Sequence, residues 1–295
     1  MSLAEAFAAG RFAVTAELGP PRGADPEQVE ARARLLRGRV DAVNVTDNPG
    51  ATVRMSSLAA AVLVLRAGVE PVMQLTGRDR NRMAVQADLL GAGALGIPNV
   101  LLLAGDPPGA QAVPVFDLDS VQLVWTASML RDRGRLLSGS RVDPPPHWRI
   151  GSVENPFVPP VRERAARLGK KIAAGAEFVQ TQFVFDVAGF ARWMAAVRAL
   201  GLHERCRILA GVGYPRTPAM LHHLRTGLPG VRVPDAVADR LLGVAPRRFR
   251  QEGLRLCTEI VGRVREIEGV AGVHVMAFGD EAAVVEIVEH AGLAG

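Results

Sequence analysis

Cysteine is nearly missing from this chain: Cys206 and Cys257 are the only two, far apart and without CxxC spacing. That argues against a disulfide scaffold or a cysteine zinc cluster and suits a reducing compartment. The six histidines form no HxH or HExxH pattern, so a metal-dependent hydrolase is not expected, and neither is a metal. The longest uncharged apolar run, SLAAAVLVL at 57–65, is too short to span a bilayer. The N-terminus MSLAEAFAAGR carries Glu5 where a secretory signal would carry lysine or arginine. A soluble cytoplasmic protein with no membrane partner is the expectation.

Aromatic residues are scarce too, with a single tyrosine, and no arginine–aromatic stripe or nucleic-acid motif accompanies the net charge of +5. The positive charge is therefore read as suited to an anionic small ligand, and no nucleic-acid partner is expected. Lysine occurs twice only, as the adjacent pair Lys170 and Lys171 in an arginine-rich chain. The pair is either a solvated helix face or a compact point charge for a phosphate or carboxylate.

What the chain does have is alternation. Short apolar runs at 12–17, 41–46, 70–76, 99–105, 148–153, 178–184, 207–212 and 272–278 read as eight strands. Helix-compatible stretches follow, such as 83–96, 116–134, 161–175, 187–200, 217–228 and 281–292, with extra helices around 234–243 and 246–267. Eight β/α units in 295 residues predict a single (β/α)8 TIM barrel over 1–295, with the extra helices between strands seven and eight. A dinucleotide-binding open sheet is disfavoured because no GxGxxG follows the first strand.

In a barrel, one side-chain parity of each strand meets the helices and the other points into the lumen. The apolar parity holds Val43 and Val45, Met73 and Leu75, Val179 and Phe183, Val273 and Val275. The other parity is unusually polar: Thr15 and Glu17, Asn44 and Thr46, Gln74 and Thr76, Gln180 and Gln182, with Asp106 after the fourth strand. Each such group left unpaired in a lumen costs about 1–3 kcal/mol, so they are expected to pair with one another, with water or with a ligand. They gather at the C-terminal strand ends, where barrel active sites sit.

Six segments in order, AELGPPR, VNVTDN, LTGRDRNRMAVQADLLGAGALGIPNVLLLAGDPP, ENPF, KKIAAGAEFVQTQFVFD and GVHVMAFGD, resemble the methylenetetrahydrofolate reductases. These are flavin-containing (β/α)8 enzymes of one-carbon metabolism, which feeds methionine biosynthesis, and the resemblance runs from Phe12 to Gly292. It implies hydride transfer from NAD(P)H, through FAD, to 5,10-methylenetetrahydrofolate, or the reverse oxidation. It places Glu17 at the family's general acid and Asp106 where an aspartate approaches flavin and pterin. It also implies that Gln182 and Asn48 contact folate, and that Thr46, Thr76, Gly105, Asp106 and Lys171 hold cofactor. One departure bears on FAD: the family's LRGD reads LAGD here, with Ala104 in place of an arginine that contacts the flavin nucleotide. A flavin-independent reductase is thus an alternative, and so is a folate-binding methyl-transfer partner of a corrinoid pathway. The latter has no need of an acid at position 17. The implied partners are small molecules, folate and nicotinamide, and a homo-oligomer stays open.

Overall fold

The computed structural model describes residues 2–108 and 112–293. Its strands are β1 (Ala13–Leu18), β2 (Ala42–Val45), β3 (Pro71–Thr76), β4 (Asn99–Leu103), β5 (Arg149–Glu154), β6 (Phe178–Phe183), β7 (Arg207–Gly213) and β8 (Val270–Met276). They pair in parallel, in chain order, and β8 closes on β1. All eight lie within two residues of the expected boundaries. The PPG stretch after Asp106 runs partly outside the described residues, at Gly109.

The helices before β4 are α1 (Leu3–Ala8), α2 (Pro26–Leu36), α3 (Ser57–Arg66) and α4 (Arg82–Ala94). Then come α5 (Ser120–Arg133), α6 (Arg164–Ala174), α7 (Val187–Ala199) and α8 (Leu202–Arg205). The last are α9 (Pro218–Thr226), α10 (Asp235–Leu242), α11 (Phe249–Arg265) and α12 (Glu281–His290). The extra helices stand between β7 and β8, as expected. The helix expected from 116 begins at Ser120 because Asp119 caps it: its carboxylate takes the Val121 and Gln122 amides while the Gln122 side chain accepts from the Asp119 N–H.

The outward parity packs as expected. Val43, Val45, Met73, Leu75, Val179 and Val275 are buried in one core against the helices. The lumen departs from the expectation at its base. There Ala13, Ala42, Val72, Leu101, Phe178 and Leu209 form a second apolar core. The Phe178 ring fits because β5 offers Gly151 beside it: a Cβ there would lie 2.3 Å from the ring. Helix α1 stoppers this end with Leu3, Ala6 and Phe7, its N-terminus closed by a Ser2–Glu5 capping box. The polar lumen inferred from the strand parities is therefore confined to the upper half.

Candidate active site

One layer above the apolar plug, four polar side chains close on one another. Strand register sets Thr15 level with His274, and Glu17 level with Asn44. Asn44 donates to Gln180 Oε1 at 2.6 Å, and Gln180 Nε2 donates back to Asn44 at 2.9 Å and to Thr15 Oγ1 at 3.1 Å. Thr15 Oγ1 also lies 3.0 Å from His274 Nδ1. Burial holds the His274 imidazole neutral, its pKa pulled down to about 3. These amides and hydroxyls satisfy each other, so Gln180 bonds across the lumen instead of with Gln182.

Above this layer opens a cleft of about 280 Å³. Glu17, Thr46, Asn48, Thr76, Gly105, Asp106 and Gln182 all line it, so seven of the eight expected site residues converge there. Glu17 sits on its floor, at the end of β1. Part of its surface reaches the cleft, yet the carboxyl is deep among protein atoms, and burial pushes its pKa up to about 7. The field of Arg32 pulls the other way and that of Glu281 adds to the rise. No protein hydrogen bond contributes to the balance, which leaves the carboxyl available to a ligand. Thr46 is buried and its hydroxyl has no partner, an orphan of the kind a ligand satisfies. Gln182 accepts the Phe183 N–H through Oε1 at 3.0 Å, which leaves its amide donors free for another partner.

The rim is braced by ion pairs. Thr76 gives both its N–H and its hydroxyl to Asp47, each at 2.9 Å, and Arg80 pairs with the same carboxylate. Arg78 is 2% exposed. Its guanidinium takes Asp79 at 2.7 Å and donates to the carbonyls of Asn48 at 3.1 Å and Asp106 at 3.3 Å, tying three loops together. Asn48, in left-handed backbone at φ 45°, donates to Asp79 and accepts the Arg54 N–H. Gly105, at φ +90°, lets the chain pass Thr76 and Arg78; a Cβ would meet theirs at 3.2 and 3.1 Å. Sequence reasoning missed Asp47 and Arg78, although both stand inside the VNVTDN and GRDR segments that carry the family resemblance.

Lys171 is the exception among the expected site residues. Its ammonium does not line the cleft. It is 3% exposed, bonded to Glu154 Oε2 at 2.9 Å and to the Val153 carbonyl. Burial lowers its pKa, and Glu154 opposes the shift. The expectation that it reaches a phosphate is corrected accordingly, because its charge is already matched at the end of β5. Lys170 is the solvated neighbour.

These positions decide whether a flavin dinucleotide fits. A diphosphate needs unspent cations, and Arg78 is the one cation among the described cleft residues, facing Glu17, Asp47 and Asp106. Its donors are engaged, Lys171 is matched and position 104 is alanine. A cleft of this volume is at the small end for ligand sites. The residues do not fit a resident FAD.

Fold and site together define a (β/α)8 barrel with an acid-bearing polar cleft at the C-terminal strand ends, the place where barrel enzymes do chemistry. Comparison with known proteins narrows this. The family model for methylenetetrahydrofolate reductase matches residues 2–292, and the chain belongs to that family. A 5,10-methylenetetrahydrofolate reductase of Pectobacterium carotovorum is 26% identical over 90% of this chain and 85% of its own. Methylenetetrahydrofolate reductase 1 of Schizosaccharomyces pombe is 28% identical over 76% of this chain. The chain spans 36% of that yeast relative and 42% of a Caenorhabditis elegans one. Among solved structures, a Clostridium thermocellum protein that binds two copies of 5-methyl-5,6,7,8-tetrahydrofolic acid superposes with a TM-score of 0.68 at 12% identity, over 98% of both chains. An F420-dependent secondary alcohol dehydrogenase follows at 0.56 and 13%, covering 95% of this chain and 99% of its own. At such identities these two speak for the fold alone. Among the described residues no helix is long and apolar enough to cross a membrane.

Proposed function

We propose that this protein interconverts 5,10-methylenetetrahydrofolate and 5-methyltetrahydrofolate, with reduced nicotinamide as the hydride donor in the forward sense. The observation that carries the reading is Glu17: a carboxyl on the cleft floor, without a protein hydrogen bond, poised at about 7. Family membership supports folate as the ligand.

The chemistry needs such an acid. The substrate holds its one-carbon unit in a five-membered ring between two nitrogens. As the bond from the methylene carbon to one nitrogen breaks, that nitrogen keeps the electron pair and takes the Glu17 proton. The carbon becomes an iminium on the other nitrogen, and hydride from the dihydronicotinamide converts it to a methyl group. Glu17, then ionised, recovers its proton from water. An acid with a pKa near the working pH is both protonated and willing to donate. The carboxylates of Asp47 and Asp106 on the cleft wall favour the cationic iminium. Gln182 can donate and accept at once, which suits the amino-oxo edge of a pterin.

The test is consumption of NADH or NADPH that depends on methylenetetrahydrofolate, with 5-methyltetrahydrofolate identified by mass. Absence of turnover with both nucleotides, in both directions, overturns the proposal. An absorbance spectrum taken on the same preparation checks the cofactor reading. It should lack flavin bands, and bands stoichiometric with protein would restore FAD as the carrier.

A further inference from the structure

Glu17 has no protein hydrogen bond, so its place and its charge balance come from what surrounds it. Two residues further on, Gly19 opens a loop whose next residues, Pro20 and Pro21, bring no N–H to brace it. A side chain does part of that bracing. Arg32, midway along α2, donates through Nη1 to the Gly19 carbonyl at 2.7 Å. Its Nε donates to Glu281 Oε1 at 2.9 Å, and its Nη2 reaches the same oxygen. One guanidinium thus joins α2, the loop after β1 and the start of α12.

Glu281 is suited to that joint. It is buried as the first residue of α12, where the helix dipole favours a negative charge. Asp280 fixes the start of the helix: its Oδ1 accepts the Ala283 N–H at 3.1 Å and its Oδ2 accepts the Tyr214 hydroxyl at 2.6 Å. The fields of Arg32 and Glu281 both reach the Glu17 carboxyl, with opposite signs. The other titratable or charged groups around it are His274 on β8, held neutral, and Asp47, Arg78 and Asp106 on the cleft wall. Of all these, Arg32 and Glu281 are the two that weigh on the Glu17 proton. Neither lines the cleft, so the pair acts on the acid and not on the ligand.

We propose that the Arg32–Glu281 pair is a positioning device for the Glu17 acid, tying down the loop behind it and keeping opposite charges beside its carboxyl in balance. The inference rests on the reading of Glu17 as the proton donor. Arg32 without Glu281 would favour the carboxylate and take the proton from the acid at working pH. Glu281 without Arg32 would hold that proton too tightly for ready transfer. Paired, the two fields largely cancel, and burial is left as the main influence on the carboxyl. The partners are 249 residues apart in sequence, at opposite ends of the chain, and closure of β8 on β1 brings them together.

The experiment is the pH profile of kcat/KM for methylenetetrahydrofolate. The Glu17 carboxyl is titrated in parallel by NMR on protein carrying carboxyl-labelled glutamate, its signal assigned by loss in Glu17→Gln. Glu281→Gln keeps an acceptor for Arg32 but removes the negative charge, so the high-pH limb should move down by about 0.5–1 pH unit, less than a charge in direct contact gives. Arg32→Gln should move the limb up, and the double variant, which lacks both charges, should return it to its wild-type place. Arg32→Lys keeps the charge but not the fork that holds Gly19 and Glu281 together; its limb should stay while kcat falls by about ten-fold. Limbs that stay put in both single variants, or move the same way, overturn the proposal and leave Glu17 as the acid. So does turnover lowered equally at every pH with the carboxyl titration unmoved, which assigns the pair to stability alone. Should Arg32→Gln fold poorly, the nearly isosteric Glu281→Gln decides the matter. Absence of turnover in wild type removes the reading of Glu17 as the donor, and the role of the pair with it.

Discussion

At its base the barrel interior is filled by Ala13, Ala42, Val72, Leu101, Phe178 and Leu209, whereas two residues further along the strands it holds Thr15, Asn44 and Gln180, with His274 beside them. Backbone and parity are the same in both layers; only the distance from the C-terminal strand ends differs. The lower layer stabilises by removing apolar surface from water, at about 25 cal/mol for each Å². The upper layer gains little from burial and holds together because each amide and hydroxyl finds a partner. Apolar packing is thus concentrated below and the open polar cleft lies above, with the Thr15–Asn44–Gln180–His274 layer as the boundary.

The sharpest way to test that division is to remove the carboxyl on the cleft floor, which has no protein hydrogen bond. Glu17→Gln is expected to lower methylenetetrahydrofolate turnover by about 10²–10⁴-fold, the usual worth of a general acid. The fold should be intact by circular dichroism. Wild-type turnover should hold below about pH 7 and fall above it, as the acid ionises with its pKa of about 7, and this limb should vanish in the variant. The sign for stability follows from the same shift. Because the folded state holds the proton more tightly than the unfolded chain, wild type loses stability as pH rises from the ordinary carboxylate range through about 7. Glu17→Gln lacks that loss, so its melting temperature should gain on wild type between pH 5 and 8. A variant with wild-type turnover would place the acid elsewhere.

Phe178→Ala makes the opposite test in the lower half. Truncating a fully buried ring is expected to destabilise by about 3–5 kcal/mol, read as a shift in the urea midpoint. Turnover per folded molecule should stay near wild type. A loss of turnover larger than the loss of folded protein would show that the two halves are not separable.

The sequence revealed the upper half more readily than the lower. Period-two alternation located every strand, and the polar parity of Glu17, Thr46, Thr76 and Gln182 marked the cleft. The plug was hidden because Ala13, Leu101 and Phe178 leave their strands apolar on both faces, which periodicity alone cannot divide into shell and lumen. Helix α1 has six residues, too short to be helical without the lumen base to pack on. Lys171 stood out by composition, but its Glu154 partner is seventeen residues away, and no local pattern announces such a pair.

That pair gives the next prediction. Lys171→Met leaves the Glu154 carboxylate buried without its ammonium, and breaking a buried pair from one side costs about 3–5 kcal/mol. Arg164, 3.9 Å from Glu154, keeps the effect toward the lower figure. The double variant Lys171→Met with Glu154→Leu should recover much of the stability, because no unmatched charge remains. Nicotinamide affinity measured on the folded Lys171→Met protein should match wild type. A selective loss of that affinity would return Lys171 to the cofactor site.

The smallest effect is expected at the boundary layer, from Gln180→Leu. The substitution removes a side chain that donates to Asn44 and Thr15 and accepts from Asn44, and it puts an apolar group of similar length in the same space. Asn44 then loses its lumen partner, and Thr15 keeps only its contacts with His274 and the Val273 carbonyl. The cost should be about 1–3 kcal/mol, the penalty for one or two unsatisfied buried groups, partly offset by the added apolar contact with the plug below. Folate affinity should fall less than in Gln182→Ala, because Gln180 is 2% exposed and spends its amide within the protein while Gln182 keeps donors for the ligand. Urea midpoints and folate titrations on the two variants read the contrast directly: Gln180→Leu should move mainly the first, Gln182→Ala mainly the second. If Gln180→Leu instead stabilises the fold, the boundary lies one layer higher, and the Thr15–Asn44–Gln180–His274 layer is kept for the ligand at the expense of the core.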